Sequence, residues 1–395
     1  MRHIRCATVL FLAASAPVIA QTVQLQLLPG ARYEVTHRSN LRESINGRHA
    51  GLTSTELTGN LRASREGDRL RYRGTFFVLE QTIRGAISTG RRVNRTIDAD
   101  FLADARGQMQ TDVDAPYPLY RNYPIVPQDA VTVGEEWSGF GAITVDPLRD
   151  GRYVVLPILV RYRYAGRREY GDELGHLIVA DYAIRFPSSA IYRSPDSNIL
   201  EMRGRHEAEI VMSEDGTRPL FIRTEIAEQF QFTSGDTLER EGFRLTFYRI
   251  GEPLDRTGTR DQIATTLQRD GIEQVEVEEV AAGVRLRLQA LQFVADQAVL
   301  LPGETARLDA IAAALAAVPD RRIVVVGHAA SVGLDQEELD LSIARAQTIV
   351  AELAARGVAQ DRLLFEGRGS TEPIATNATP EGRAQNRRVE VIVVD

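Results

Sequence analysis

Residues 284–395 alternate between two hydrophobic periods, and this alternation constrains the fold more than any other feature of the chain. Two sets of apolar residues recur at helical spacing, and residues that end helices follow them: Pro319 after the first set and Gly357 after the second. The two sets are Leu308, Ile311, Leu315 and Val318, and then Leu339, Ile343, Ala346, Val350 and Leu353. Short apolar segments at 322–326, 362–365 and 389–394 predict strands. The alternation predicts an α/β sandwich, in which helices cover a mixed sheet.

Residues 21–250 show the period of strands instead. Residues 176–186 place apolar side chains at every second position, as a half-buried strand does. Segments 207–212 and 220–226 flank the turn sequence Asp215-Gly216 and predict a hairpin. No helical period of useful length is present. We therefore predict an all-β antiparallel sheet domain, folded as a sandwich or a partial barrel.

A membrane barrel is the alternative for this region. Its strands would need clean apolar outer faces and girdles of aromatic residues. Residues 153–164 contain one such face, but Pro157 interrupts the segment and arginines crowd most other strands. The single tryptophan, Trp137, is expected in the core. We favour a periplasmic sheet domain over a membrane barrel.

The first twenty residues have the pattern of a secretory signal peptide. Arg2 and Arg5 precede an apolar segment too short to span a bilayer, and small residues up to Ala20 form a cleavage site. Cys6, the only cysteine, lies within this segment, so no disulfide is expected in the mature chain. The formal net charge of −7 excludes the basic footprint of a nucleic-acid-binding protein. We expect the mature protein in the periplasm or at the outer membrane.

Residues 251–283 are predicted to connect the two regions. Segment 261–269 can form a short helix and segment 273–280 a strand. The connector is therefore either a small helix-strand module or a stiff arm. The predicted domains are the sheet domain at 21–250 and the α/β domain at 284–395.

Several motifs follow one another in the α/β region. They are Phe293 to Leu300, Gly327-His328, Leu341 to Ala346, Gly367-Arg368-Gly369 with Pro373, and Gly382 to Val389, which contains Asn386-Arg387-Arg388. Each motif alone is weak, but their order over residues 284–395 resembles the OmpA-like peptidoglycan-binding domain. The resemblance covers about a quarter of the chain and does not extend to residues 21–250.

The resemblance implies a site for the diamino acid of the peptidoglycan stem peptide. Arg345 would bind its carboxylate, and an aspartate that binds its ammonium is replaced here by Ala330. Arg387 and Asp296 match positions that border the same pocket. Glu338 occupies a position at which asparagine is usual.

The residues themselves support part of this assignment. Arg345 lies off the buried stripe of the predicted helix, on the same face as Glu338 and Leu341. A guanidinium can bind a carboxylate through two parallel hydrogen bonds. A solvated helix face would show the same spacing, and only the motif favours a binding role for Arg345.

Three explanations for Ala330 remain open. The stem peptide of this organism carries a different diamino acid, or Glu338 or Asp296 supplies the missing negative charge, or wall binding is weak or lost. A lost charge partner for a partly buried ammonium costs about 1–3 kcal/mol.

The sequence contains no catalytic constellation. His328 has no second histidine or carboxylate at the spacing of metal ligands, and no serine lies in a nucleophile-elbow motif. We predict a non-enzymatic protein without a cofactor or a metal ion.

Two functions fit these features. The first is an envelope protein that binds peptidoglycan through its C-terminal domain and contacts an outer-membrane or periplasmic protein, or lipid, through residues 21–250. The alternative is a periplasmic carrier whose sheet domain holds an apolar ligand, with a weak or lost wall site. A concave face lined by Ile158, Val160, Tyr162 and Tyr182 would favour the carrier.

Overall fold

The computed structural model describes residues 22–25, 32–82, 90–186, 198–272, 274–289, 291–294 and 297–395. The predicted signal peptide, with Cys6, and the predicted site residue Asp296 lie outside the described residues. Among the described helices, none is both long enough and apolar enough to cross a membrane.

Described strands dominate the first two thirds of the chain. In chain order they are β1 (Thr22–Val23), β2 (Arg32–Ile45), β3 (Arg48–Glu66), β4 (Arg69–Thr82), β5 (Arg91–Arg92), β6 (Arg95–Ala103), β7 (Met109–Gln110), β8 (Tyr120–Arg121), β9 (Val131–Thr132), β10 (Glu136–Val145), β11 (Val154–Tyr170), β12 (Glu173–Phe186), β13 (Ile199–Met212), β14 (Pro219–Phe232) and β15 (Thr237–Ile250).

Helices and strands alternate in the remainder. In chain order these elements are α1 (Arg256–Arg269), β16 (Val275–Val280), β17 (Gly283–Leu288), α2 (Thr305–Leu315), β18 (Ile323–Gly327), α3 (Asp335–Ala355), β19 (Leu363–Gly367), α4 (Pro380–Asn386) and β20 (Val389–Val394). The two predicted helices correspond to α2 and α3, and the predicted strands to β18, β19 and β20. The short helix α4 was not predicted, because it contains no apolar period.

The N-terminal region forms one antiparallel sheet of twelve strands, in the order β7-β6-β4-β3-β2-β15-β14-β13-β12-β11-β10-β8. Its two short end strands, β7 and β8, lie close to each other. The backbone amide of Met109 in β7 donates to Oδ1 of Asn122, just after β8, at 2.6 Å. The sheet is therefore a nearly closed barrel. Of the two predicted architectures the partial barrel is confirmed and the sandwich is wrong, because the strands form one curled sheet.

The concave face of this sheet is packed with side chains. Strand β11 buries every second residue from Val154 to Tyr164, and the predicted hairpin appears as β13 and β14. Trp137 stacks on Tyr162 with ring centroids 5.4 Å apart and donates from Nε1 to the Ile125 carbonyl at 2.8 Å, so it belongs to the core as predicted. A concave face exists, but the four residues expected to line a ligand cavity on it are buried in the core instead. These are Ile158, Val160, Tyr162 and Tyr182.

The C-terminal region is built on a mixed sheet in the order β16-β17-β20-β18-β19-β5. Strands β18 and β19 are parallel, and β20 is antiparallel to β18. Helices α1, α2 and α3 contribute Ile263, Ile311 and Ile349 to one apolar core. Helix α1 and strand β16, which lie in the predicted connector, are thus part of the same sheet and core as the α/β region. The helix begins at Arg256, five residues before the predicted segment.

The opposite face of the mixed sheet packs on the sheet domain. Val324, Val326 and Leu364 share a buried cluster with Phe77 and Leu79 of strand β4. Strand β5, from the N-terminal region, adds to the mixed sheet by pairing in parallel with β19. The pairing of β5 with β19 could not be predicted from the sequence, since a two-residue strand has no recognisable period.

Candidate functional site

A cleft of about 520 Å³ opens at one end of the mixed sheet. Its walls are the segment after β18, the first half of α3, residues 291–293 with Leu301, and the junction of α4 with β20. The side chains that contribute charge or polarity to it are His328, Glu338, Arg345, Arg387 and Arg388. Apolar residues form part of its rim, and Val332 is 71% exposed there.

Arg345 is held in a fixed position within the cleft. Its side chain is buried, and its guanidinium carbon lies 5.1 Å from the ring centroid of Phe293. Its Nε donates to the carbonyl of Gln297 at 3.3 Å. A cation over an aromatic ring is stabilised there, so Phe293 helps to hold the guanidinium in place at the cleft.

Glu338 braces the loop that precedes α3. Its Oε1 accepts from the backbone amides of Val332 at 2.6 Å and Gly333 at 2.7 Å. Burial alone would raise the pKa of Glu338, but hydrogen bonds from Ser370 and from these two amides outweigh burial and hold the pKa below its ordinary value. Glu338 therefore brings a permanent negative charge to the cleft.

Ala330 is buried in the wall of the cleft, at 2% exposure. The loop around it is tied to the loop before α4, because the amide of Ser331 donates to Oδ1 of Asn377 at 3.3 Å. Asn386, from the Asn-Arg-Arg motif, donates to the same Oδ1 and accepts from the amides of Ile374 and Ala375. The motif asparagine is thus a structural clamp that shapes the cleft.

His328 is buried between charged neighbours. Neither ring nitrogen has a hydrogen-bond partner among the described residues, and Nε2 lies 3.8 Å from Oε1 of Glu390. Burial, with a smaller contribution from Arg388, lowers the pKa of His328 to about 4, so the ring is neutral at pH 7. No group of three possible metal-ligating side chains occurs in the part of the chain that the structure describes.

The two arginines of the Asn-Arg-Arg motif have different surroundings. Arg387 is exposed at the end of α4 and faces the cleft. Arg388 is buried, donates from Nε to Glu390 at 2.7 Å and from Nη1 to the Glu372 carbonyl at 3.1 Å. The sequence did not indicate that Arg388 lines the cleft or that Glu390 pairs with it, although Arg388 stands in a recognised motif.

Close packing of α3 on the sheet explains other motif residues. A Cβ at Gly327 would lie 2.1 Å from the Ser342 carbonyl, and one at Gly367 would lie 2.3 Å from the Ser342 hydroxyl. Ser342 in turn accepts from the amide of Gly369 at 3.0 Å. The two glycines and the serine therefore let α3 approach the strand ends closely, which places Arg345 over the cleft.

The structure brings four of the five predicted site residues to one cleft. Ala330, Glu338, Arg345 and Arg387 all line it. The fifth, Asp296, lies outside the described residues.

Comparison with known proteins identifies this region. The sequence profile of the OmpA family matches residues 292–387, and the N-terminal region has no family match. The peptidoglycan-binding protein ArfA of Mycobacterium tuberculosis is 44% identical over 103 residues, which are 26% of this chain and 32% of ArfA. Outer membrane protein A of Bordetella avium is 38% identical over 102 residues, 26% of this chain and 53% of that protein.

Among solved structures, the cell wall anchor of the T6SS from Pseudomonas aeruginosa is 32% identical. The match covers 34% of this chain and 99% of that one, with a TM-score of 0.31. The chain thus spans about a third of the length of ArfA and about half of the Bordetella protein.

Proposed function

Because the chain contains an OmpA family domain at residues 292–387, we propose that this protein binds peptidoglycan non-covalently through the cleft. The domain would hold the stem peptide, while the sheet domain contacts another component of the envelope. The names of the relatives support wall association, since ArfA is described as a peptidoglycan-binding protein and the Pseudomonas structure as a cell wall anchor. The proposed role is structural rather than enzymatic.

The position of Arg345 is the observation that carries this proposal. Its guanidinium is fixed by Phe293 and Gln297 at the wall of an open cleft, and Arg387 adds a second positive charge at the rim. A pre-positioned guanidinium loses little conformational entropy when it binds a carboxylate. The carboxylate of the diamino acid is therefore the group that Arg345 would bind.

The ammonium of the ligand needs a different partner, because Ala330 has no charge. We propose that Glu338 supplies it in this protein. Its carboxylate lines the same cleft and stays ionised, and only its Oε1 is used by the loop amides. Asp296 remains a second proposed source of negative charge. A diamino acid with another arrangement of its polar groups is the alternative explanation.

Sedimentation with purified sacculi tests wall binding. We expect the mature protein to sediment with sacculi from its own organism, and the Arg345→Ala variant to lose at least tenfold in affinity. Removal of one partner from a charge-assisted hydrogen bond costs about 1.5–3 kcal/mol, which corresponds to roughly tenfold to a hundredfold. Arg356→Ala is the matched control, because Arg356 directly follows the last residue of the same helix and pairs with Asp309 and Glu352 outside the cleft.

Equal sedimentation of all three proteins would contradict a role for Arg345, and no sedimentation of any would contradict wall binding.

The source of negative charge is tested separately. We expect Ala330→Asp to increase the affinity for stem peptides that carry diaminopimelate, and Glu338→Gln to decrease it. If Glu338→Gln changes only the thermal stability, Glu338 stabilises the loop before α3 and does not bind the ligand.

The proposed contact with another envelope component has a candidate surface. Phe140 and Leu159 are directly opposite each other on β10 and β11, and they are 77% and 49% exposed. Exposed apolar pairs of this size are uncommon on strands and are typical of contact surfaces. We expect Phe140→Ser combined with Leu159→Ser to release the protein from the outer-membrane fraction while sedimentation with sacculi is unchanged. Retention in that fraction would exclude this surface.

A further inference from the structure

The interior of the partial barrel contains space that the packed core does not fill. Two apolar clusters occupy the interior, one around Tyr162 and one around Phe76. Two cavities of about 130 and 120 Å³ lie beside them. His37, Leu119 and Tyr120 line both cavities. These cavities are remote from the wall cleft and share no residue with it.

One of the cavities is an aromatic chamber. Its aromatic lining consists of Tyr33, Tyr72, Phe101, Tyr117, Tyr120, Tyr123 and Tyr248. Several of these rings already pack on one another, as Tyr72 and Phe101 do at 5.1 Å between ring centroids. A chamber lined in this way accepts a flat apolar group. An engineered cavity of about 150 Å³ in another protein holds benzene, so a chamber of this size suits a single ring.

The other cavity is a charged chamber, and most of its ions are paired. Arg240 and Arg149 donate to Glu43, Arg95 donates to Asp146, and the Glu228 carboxylate accepts from His206. Each of these groups is therefore in an ion pair or a hydrogen bond with another side chain. The charged chamber therefore has little capacity to neutralise a further ion except at one residue.

That residue is Arg244. Its Nε donates to the hydroxyl of Ser39 at 2.9 Å and its Nη1 to the hydroxyl of Tyr120 at 3.2 Å, both neutral groups. No described carboxylate makes an ion pair with it. Glu228 contributes only at longer range. A half-buried guanidinium with neutral partners is a site for an anionic acceptor.

Among the described residues, three buried polar atoms at these cavities lack partners: Nε of Arg95 in the charged chamber, Nε2 of His37 and the hydroxyl of Tyr123. Nε2 of His37, at 5% exposure, lines both chambers, and the hydroxyl of Tyr123, at 4% exposure, lines the aromatic one. Buried polar groups in folded proteins almost always have a hydrogen-bond partner, and an unmade bond costs about 1–3 kcal/mol. Water or a ligand that enters the chambers would supply hydrogen-bond partners to these atoms.

Tyr120 lies between the two chambers, together with His37 and Leu119. The ring of Tyr120 lies 5.0 Å from that of Tyr123 on the aromatic side, and its hydroxyl contacts Arg244 on the charged side. A ligand with its ring beside Tyr123 would need only a short chain to bring an anionic head to Arg244.

We propose that the partial barrel binds a small amphiphile, consisting of one apolar ring or an equivalent apolar body in the aromatic chamber and a carboxylate head on Arg244. The head would accept from the guanidinium, and His37 and Tyr123 would hydrogen-bond the part of the ligand between its ends. This site is independent of the proposed wall-binding cleft. It gives the sheet domain a ligand of its own.

Calorimetric titration with 3-phenylpropionate tests this proposal on the full mature protein. The matched probe is 3-phenyl-1-propanol, which has the same ring and chain without the charge. We expect saturable one-to-one binding of the acid, at least tenfold tighter than binding of the alcohol. Equal affinities would overturn the assignment of an anionic head, and no binding of either probe would overturn the site.

Four variants locate the site. Arg244→Met should remove the preference for the acid, whereas Arg249→Met, on an exposed position of the same strand, should leave it unchanged. Ala103→Leu should weaken the binding of both probes at least tenfold, because Ala103 lines the aromatic chamber and the larger side chain would fill part of it. If Arg244→Met does not fold, two measurements still decide the proposal. They are the ratio of the affinities for the acid and the alcohol in the unmodified protein, and the effect of Ala103→Leu on both affinities. Arg345→Ala should bind 3-phenylpropionate normally, and loss of binding there would contradict independent sites.

Discussion

The two regions of this molecule bury their charged residues in different places. In the C-terminal domain the buried charged residues Glu338, Arg345 and Arg388 line the cleft, although Glu304, Glu366 and Asp395 are buried away from it. In the sheet domain Glu43 and Arg240 are buried well inside the barrel, between apolar clusters. Buried ion pairs rarely stabilise a fold more than apolar side chains of the same volume would. Both proposed binding sites contain buried charge, and only the site in the C-terminal domain is accompanied by sequence motifs.

The largest effect is expected when the buried network of the sheet domain is broken. Glu43→Ala leaves Arg240 without its carboxylate, and we expect the free energy of unfolding to fall by about 3–5 kcal/mol. Urea unfolding followed by the fluorescence of Trp137 measures this directly, because the only tryptophan lies in the sheet domain. The double variant Glu43→Leu, Arg240→Leu should regain most of the loss. A loss below 1 kcal/mol in the single variant would mean that this network is not a buried ion cluster.

A somewhat smaller effect is expected at the contact between the regions. Leu79 is 2% exposed within the cluster shared by both domains, so Leu79→Ala should lower the free energy of unfolding by about 2–4 kcal/mol. The transition of Trp137 should also separate from the loss of helical circular dichroism, since the helices lie in the other domain. Leu174→Ala, at a leucine that is 37% exposed, is the control. Coincident and unshifted transitions would show that the two regions do not stabilise each other.

Acid should destabilise both regions through buried histidines, most strongly through His37 in the sheet domain and His328 in the C-terminal domain, while burial also lowers the pKa of His176. Burial, together with Arg244, lowers the pKa of His37 to about 3, and burial with Arg388 lowers that of His328 to about 4. Between these values and an ordinary pKa of about 6.5 the unfolded chain binds more protons, so stability is complete above pH 6.5 and falls as the pH decreases. Each histidine should cost about 2 kcal/mol between pH 6.5 and pH 5.

Two variants separate the contributions of these histidines. His37→Gln should flatten the pH dependence of the Trp137 transition over that range, and His328→Asn should flatten that of the helical signal. A pH dependence that survives in both variants would place the responsible groups elsewhere.

The smallest effect is expected on the outer face of the sheet. Arg168 and Glu209 form an ion pair there with side chains 47% and 37% exposed. Arg168→Ala should change the free energy of unfolding by less than about 1 kcal/mol, because water and salt screen exposed pairs. A loss comparable with that of Glu43→Ala would remove the distinction between inner and outer charges on which the comparison depends.

The sequence was more informative about the C-terminal domain than about the sheet. Helices α2 and α3 follow from local apolar periods, and the motifs placed Ala330, Glu338, Arg345 and Arg387 before their common cleft was known. Arg388 and Glu390 were missed, because their burial depends on the register of β20 against its neighbours.

In the sheet domain the strands were predictable and their closure was not. Alternation along β11 and β12 fixes which side chains face inward, but the approach of the sheet ends depends on two strands of two residues each. Glu43 pairs with Arg240, which is 197 positions away in the chain, and no local sequence pattern predicts this contact. The contact of β5 with β19 was missed for the same reason.

The central claim is that Arg345 binds the stem peptide at this cleft. Calorimetric titration of the mature protein with a stem tripeptide that ends in diaminopimelate tests it most directly, alongside Arg345→Ala and the Arg356→Ala control. The account predicts saturable one-to-one binding that is unchanged in Arg356→Ala and at least tenfold weaker in Arg345→Ala. The same affinity in all three proteins, or no saturable binding in any, would contradict it.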